Sequence, residues 1–218
     1  MQLPLGAAYD LRAEPDVRLG ALAPWARGGL LLLSGGPAFF ERFRAERRDE
    51  PDPLDRWTRR TVEALLAPCR AAGLRAEARY PFWNEPDPLP FQRIGAAAGL
   101  GGTSRLGLTL HPAFGSWIAY RALLLFDRPM AEEAAPPAVD ACAGCAAPCV
   151  DACPAGAVAA GWDPLRCVDH RLATGDACAS GCHARLACPA GADQRYGADA
   201  LRFHQAASYA TARAWRRS

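Results

Sequence analysis

The chain has 218 residues, half of them hydrophobic, with 25 basic side chains against 23 acids and a net charge of +2. That length carries one substantial domain, or a domain with a small appended module, and the apolar content is enough for a real core. So small a net charge argues against a dedicated nucleic-acid binder, which usually shows a strongly basic face. Apart from histidine, every basic residue is arginine, and the abundance of alanine, glycine and proline reads as coding bias rather than function. The opening Met1-Gln2-Leu3-Pro4 lacks a basic stretch followed by an apolar run, and the most apolar segment, residues 28–33, is too short to span a bilayer. A cytoplasmic protein without a membrane partner is expected.

Strands and helices alternate through the first part. Gly28-Gly29-Leu30-Leu31-Leu32-Leu33-Ser34 is a short apolar run bounded by glycine, as a buried strand would be. Pro37 suits the first turn of a helix carrying Phe39, Phe40 and Phe43. A second helix is predicted after Asp52, with Leu54, Trp57, Thr61, Leu65 and Cys69 along one face, kinked or ended by Pro68. Cys69 on that face is read as an inert core residue. Residues 74–82 alternate as a strand, and residues 90–98 read as a third helix ending in Gly99-Leu100-Gly101-Gly102. Residues 106–111 and 117–126 are further strands. A layered α/β domain follows, and the proline-bearing acidic stretch at residues 132–137 reads as a linker.

Eight of the nine cysteines fall between residues 142 and 188. The first group is Cys142-x2-Cys145-x3-Cys149-x3-Cys153-Pro154. The second is Cys167, then Cys178-x3-Cys182-x5-Cys188-Pro189. Iron in a cubane cluster takes soft thiolates, one per iron, so eight thiolates match two [4Fe–4S] clusters. Paired zinc sites, with His170 or His183 joining, are the competing reading, and disulfides a weaker one in a reducing compartment. Each group closes on Cys-Pro-Ala-Gly, and this resembles a ferredoxin-type duplication. That resemblance implies that the cysteine before proline serves the other cluster. Cys142, Cys145, Cys149 and Cys188 then hold one, and Cys153, Cys167, Cys178 and Cys182 the second. Bacterial ferredoxins have two residues, not three, where Ala146-Ala147-Pro148 stand here.

Two stretches ahead of the cysteines resemble the corrinoid-binding domain shared by CblC-type cobalamin-processing proteins, epoxyqueuosine reductases and reductive dehalogenases. One runs from Leu89-Pro90-Phe91-Gln92-Arg93-Ile94 through Gly99-Leu100-Gly101 and on to His111-Pro112-Ala113-Phe114-Gly115-Ser116-Trp117. It is similar to the helix, Gly-Leu-Gly turn, strand and Gly-Ser-Trp of the epoxyqueuosine reductases, and to a His-Pro-Arg-Phe-Gly-Gly-Trp segment of CblC proteins. The second, Leu33-Ser34-Gly35-Gly36-Pro37-Ala38-Phe39-Phe40, is similar to a CblC strand and helix. The resemblance implies a nitroreductase-like sandwich at residues 1–135 that holds cobalamin base-off, followed at 136–218 by a ferredoxin-like module.

In that reading Gly99, Gly101, Gly102, His111, Pro112, Phe114, Gly115, Ser116 and Trp117 line the corrin, with glycine letting the main chain approach a flat ligand. A cofactor contact for His111 competes with a plain strand-end role, and Trp117, Tyr120 and Arg121 are as readily scaffold as contacts. The glycine turn lacks the full spacing of a dinucleotide loop and precedes a strand. The resemblance implies, first, an oxidoreductase that reduces the corrinoid with electrons from the clusters and removes its upper ligand. The alternatives are reduction of an organic substrate, as epoxyqueuosine reductase removes an epoxide oxygen from a tRNA base, and a ferredoxin-like electron carrier. A corrinoid and an external low-potential electron donor are the expected partners, and no residue stands out as a general acid.

Overall fold

The computed structural model describes residues 5–9, 23–82, 89–129, 140 and 142–217. In chain order these form β1 (Leu5–Tyr9), β2 (Gly28–Gly35), α1 (Pro37–Glu46), α2 (Pro53–Ala71), β3 (Ala76–Arg79), α3 (Phe91–Ala97), β4 (Gly102–Thr103), β5 (Thr109–Leu110), β6 (Ile118–Phe126), α4 (Pro148–Ala152), α5 (Pro164–Ala173), α6 (His183–Ala187), a 3-10 turn (Ala192–Gln194) and α7 (Ala198–Trp215). The fold is mixed α and β, as the sequence indicated. The expected linker at residues 132–137 lies outside the described residues.

The chain gathers into two compact units. Met1–Leu100 with Ile118–Ala138 make the first, and Gly101–Trp117 with Val139–Ser218 the second. The stretch from Gly101 to Trp117, expected in the body that precedes the cysteines, therefore groups with them.

In the first unit a four-stranded sheet runs in the order β1, β2, β6, β3, antiparallel at every step. Antiparallel strands commonly alternate apolar and polar residues because one face meets water. Strands β2 and β6 do not alternate, because helices cover both of their faces. Leu31, Leu33, Leu123 and Leu125 pack with Phe91 and Ile94 of α3. Leu32, Ala122, Leu124 and Phe126 pack with Val62 and Leu66 of α2. The leucine run at residues 30–33 thus serves two cores.

A bulge interrupts this pairing. Leu32 faces Ala122 and Leu33 faces Tyr120, which leaves Arg121 opposite no residue. The shift puts Tyr120 on the same face as Leu123. Arg121 turns into the protein, where its Nε donates to Ser34 Oγ at 2.8 Å and its guanidinium lies 4.2 Å from the centre of the Phe39 ring.

Three expectations shift. Helix α2 buries Trp57, Thr58, Val62 and Leu66, about one residue round from the predicted face, while Leu54, Thr61, Leu65 and Cys69 sit at its margin. Pro68 does not stop it: in the last turn the missing N–H forfeits one bond, and the helix runs on to Ala71. The strand expected at residues 106–111 shrinks to β5. Ser104 Oγ donates to the Leu108 carbonyl at 2.8 Å and accepts from the Leu106 N–H at 3.2 Å, so the segment folds into a turn instead.

Leu123 is 1% exposed at the centre of the sheet. Leu123→Ala is expected to cost about 2–5 kcal/mol through lost burial and a residual cavity, read as a lower urea midpoint with an unchanged slope.

Candidate metal centre

The second unit begins with a small hairpin. Strand β4 pairs with β5, and His111 bridges to Gly115 through both backbone bonds, at 2.8 and 2.9 Å. The glycines here answer to the protein's own backbone. Gly101 has φ +125°, and a Cβ on it would stand 1.9 Å from the Leu110 carbonyl oxygen. Gly115 has φ +54°, and its Cβ would stand 2.0 Å from the Ala190 carbonyl oxygen. The space freed by each missing side chain is filled by main chain. Gly99 likewise ends α3, with the Leu100 N–H returning to the Gly95 carbonyl.

Of the other expected corrin residues, Ser116 and Trp117 are buried. Trp117 stacks edge-on against Tyr196 at 5.3 Å and carries the Arg185 guanidinium 4.4 Å from its ring centre. Pro112 is exposed, and Gly102, His111 and Phe114 are half-buried. His111 Nδ1 accepts the Ala113 N–H at 3.1 Å, and burial holds its pKa below the ordinary value, so the ring is neutral at pH 7 with Nε2 left to bind.

The cysteines fall into two sets. Cys142, Cys145, Cys149 and Cys188 border one cavity, closed on its apolar side by Leu106 and Leu110 of the hairpin. Burial raises the Cys149 pKa, and the nearby Cys188 and Cys142 add to the shift. Around the other set, burial raises Cys167, reinforced by Cys182 and Cys153 and opposed by Arg171. Burial raises Cys178 too, again with Cys182 adding and Arg171 opposing. All nine cysteines are free thiols, so none supports the disulfide reading.

Short local devices aim these thiols. The extra residue between Cys145 and Cys149 is taken up by Ala147, which adopts the left-handed conformation at φ +55° before Pro148 starts α4. The Ala147 and Ala157 N–H groups donate to Cys145 Sγ and Cys153 Sγ, both at 3.4 Å. Such bonds hold each sulfur in a fixed direction. Asp163 caps α5, accepting from the Arg166 N–H at 3.0 Å, and so sets the helix that bears Cys167. Sequence reasoning missed Arg171. Its fork grips Asp176 at 2.8 and 3.0 Å and also reaches Ser208 Oγ and the Gln205 carbonyl of α7. Asp176 lies two residues before Cys178, so this pair ties the ligand-bearing loop to the long C-terminal helix. The only signal in the sequence was an arginine and an aspartate five apart.

Among the described residues, no group of three or more His, Cys, Asp or Glu side chains closes on a single point as one metal ion requires. The first set encloses a space instead, which suits a polynuclear cluster whose irons stand apart. His183 is exposed, and His170 Nε2 is sealed from solvent without a hydrogen-bond partner. Among the described residues, no helix is long and apolar enough to cross a membrane.

No family model and no curated protein matches the chain. Solved structures do. An epoxyqueuosine reductase with a tRNA-Tyr epoxyqueuosine-modified stem loop aligns with TM-score 0.61 and 18% identity, over 87% of this chain and 56% of that one. The Bacillus subtilis enzyme, with a catalytic loop swung out of its active site, aligns at 0.58 and 17%, over 84% and 54%. The Streptococcus thermophilus enzyme aligns at 0.58 and 14%, over 83% and 54%. This chain spans little more than half their length. One of these neighbours is solved with RNA, so the expectation that nucleic acid is not a partner finds no support here. None of these three is a cobalamin-processing protein. Over most of its length the chain has the fold of these epoxyqueuosine reductases.

Two substitutions test the site's framework. Gly115→Ala combines left-handed strain with a clash against backbone, and about 2–5 kcal/mol of stability should be lost, seen as early melting. Asp176→Ala leaves the buried Arg171 unpaired and should cost about 3–5 kcal/mol, with iron released from the loaded protein before the fold is lost.

Proposed function

We propose that this chain is the redox core of an iron–sulfur, corrinoid-dependent reductase acting on an organic substrate, in the manner of the epoxyqueuosine reductases. The observation that carries the reading is the gathering of Cys142, Cys145, Cys149 and Cys188 around one cavity, in a chain whose fold matches those enzymes. Cys142, Cys145, Cys149 and Cys188 hold one [4Fe–4S] cluster, and Cys153, Cys167, Cys178 and Cys182 hold the second. When bound, the clusters supply single electrons and the corrinoid supplies the reductive chemistry.

The chain's own residues do the rest. The loops bury Cys149 and Cys188 and leave Cys145 exposed, and that uneven access of water helps to set the potentials. His111, Pro112, Phe114 and Gly102 offer the accessible edge for a corrin, with His111 Nε2 free to donate a hydrogen bond. Gly101, Gly115, Ser116 and Trp117 hold that edge in shape from behind. Loss of an epoxide oxygen as water consumes two electrons and two protons, so an external low-potential donor must deliver its electrons one at a time.

The alternative in which the corrinoid is itself the substrate and sheds its upper ligand has the His111-to-Trp117 segment in its favour. One experiment separates the readings. Anaerobically purified, iron-loaded protein is incubated with cobalamin, a low-potential reductant and either an epoxide-bearing nucleoside in an RNA stem loop or cyanocobalamin alone. Loss of the epoxide oxygen is the expected result. Cyanide release without it would favour corrinoid processing, and failure to retain cobalamin would sink both. Cys149→Ser should lower iron from about eight to about four per chain, measured with sulfide on the same sample.

A further inference from the structure

Arg185 lies on α6, three residues after Cys182 and three before Cys188. Its Nη2 donates to the Ser116 carbonyl at 2.5 Å. The guanidinium also faces the Trp117 ring at 4.4 Å and the Tyr196 ring at 5.2 Å. Its Nε is sealed from solvent and finds no hydrogen-bond partner. Among the described residues no carboxylate pairs with it, whereas the neighbouring buried arginine, Arg171, has Asp176. Burial lowers the Arg185 pKa, while Tyr196 and Cys182 pull it back up. The guanidinium keeps its charge regardless.

A desolvated cation needs a compensating negative charge. Two aromatic faces and one carbonyl soften the demand and leave it unmet. The neighbour that acquires charge is Cys182, which becomes a thiolate on ligating metal. A cubane held by four thiolates is anionic, and it gains one further negative charge when it accepts an electron.

We infer that Arg185 is the fixed counter-charge of the centre held by Cys182 and raises that centre's reduction potential. The inference rests on the iron–sulfur reading above. In the step concerned, the centre takes one electron from the external donor, no bond in the chain is made or broken, and no proton moves at Arg185. The added charge meets a cation already in place, so the reduced form is favoured without rearrangement. Trp117 and Tyr196 hold the guanidinium flat, which gives the buried Trp117 a purpose away from any corrin. Arg185 is thus a tuning residue that touches neither substrate nor corrinoid.

The test uses the full chain loaded with iron and sulfide, without cobalamin, in a potentiometric titration followed by electron paramagnetic resonance. Arg185→Gln and Arg185→Met both remove the charge, and the flexible apolar methionine suits the ring cage. One of the two one-electron steps should move to lower potential by roughly tenfold in its reduction equilibrium, about 59 mV, with the other step moving less. Arg185→Lys should stay near the parent. Parent-like titration of either neutral variant with full iron content overturns the inference alone. A parent that binds no iron removes the iron–sulfur reading and the inference together. Unfolding of both neutral variants before loading makes Arg185 a structural residue and also overturns it.

Discussion

Five of the eight clustered cysteines belong to, or pack against, one small apolar core of the second unit. Its apolar cluster contains Leu106, Leu110, Val158 and Ala184, and its remaining buried members are Cys149 and Cys188. Cys142, Cys153 and Cys182 pack against it. A cluster this small buries little hydrocarbon, so metal-free stability is expected to be low and ligand binding to count as folding energy. The same crowding raises thiol pKa values, because burial and neighbouring thiols both disfavour the charged form. Ligation reverses that: thiolates that repel one another in an empty site become the charges that a metal centre shares.

This dependence explains why residues 101–117 group with the cysteines. The hairpin contributes Leu106 and Leu110, which close the first cavity. It also contributes Gly115, against which the main chain after Cys188 packs too closely for any Cβ. Ser116 and Trp117 then meet Arg185 on the helix between two of the ligands. A segment with the look of a cofactor loop therefore supports the cysteine-bearing part. Its exposed turn at His111 and Pro112 remains the portion open to a ligand.

In the first unit the governing constraint is two-sided burial. A sheet covered on both faces needs apolar residues at every position of its central strands, and β2 and β6 supply them. One bulge at Arg121 lets a charged residue pass through this apolar run by pairing it with Ser34 and the Phe39 face.

The sequence by itself determined the mixed α and β class, the central strands, the first two helices, and the gathering of eight cysteines into one stretch of chain. These features are local or nearly so: apolar runs, prolines at helix starts, and Cys-Pro closures leave a mark on the residues that carry them. The spacing could not show how Cys145-x3-Cys149 was accommodated, since that rested on one alanine adopting a left-handed conformation. Tertiary structure alone decided which way the glycines of that hairpin faced, because a missing side chain does not say whether backbone or ligand fills its place. It also decided the roles of Arg171 and Arg185. Two arginines on short helices look alike in sequence; one meets a carboxylate and the other does not, and only the packing of distant segments makes that difference.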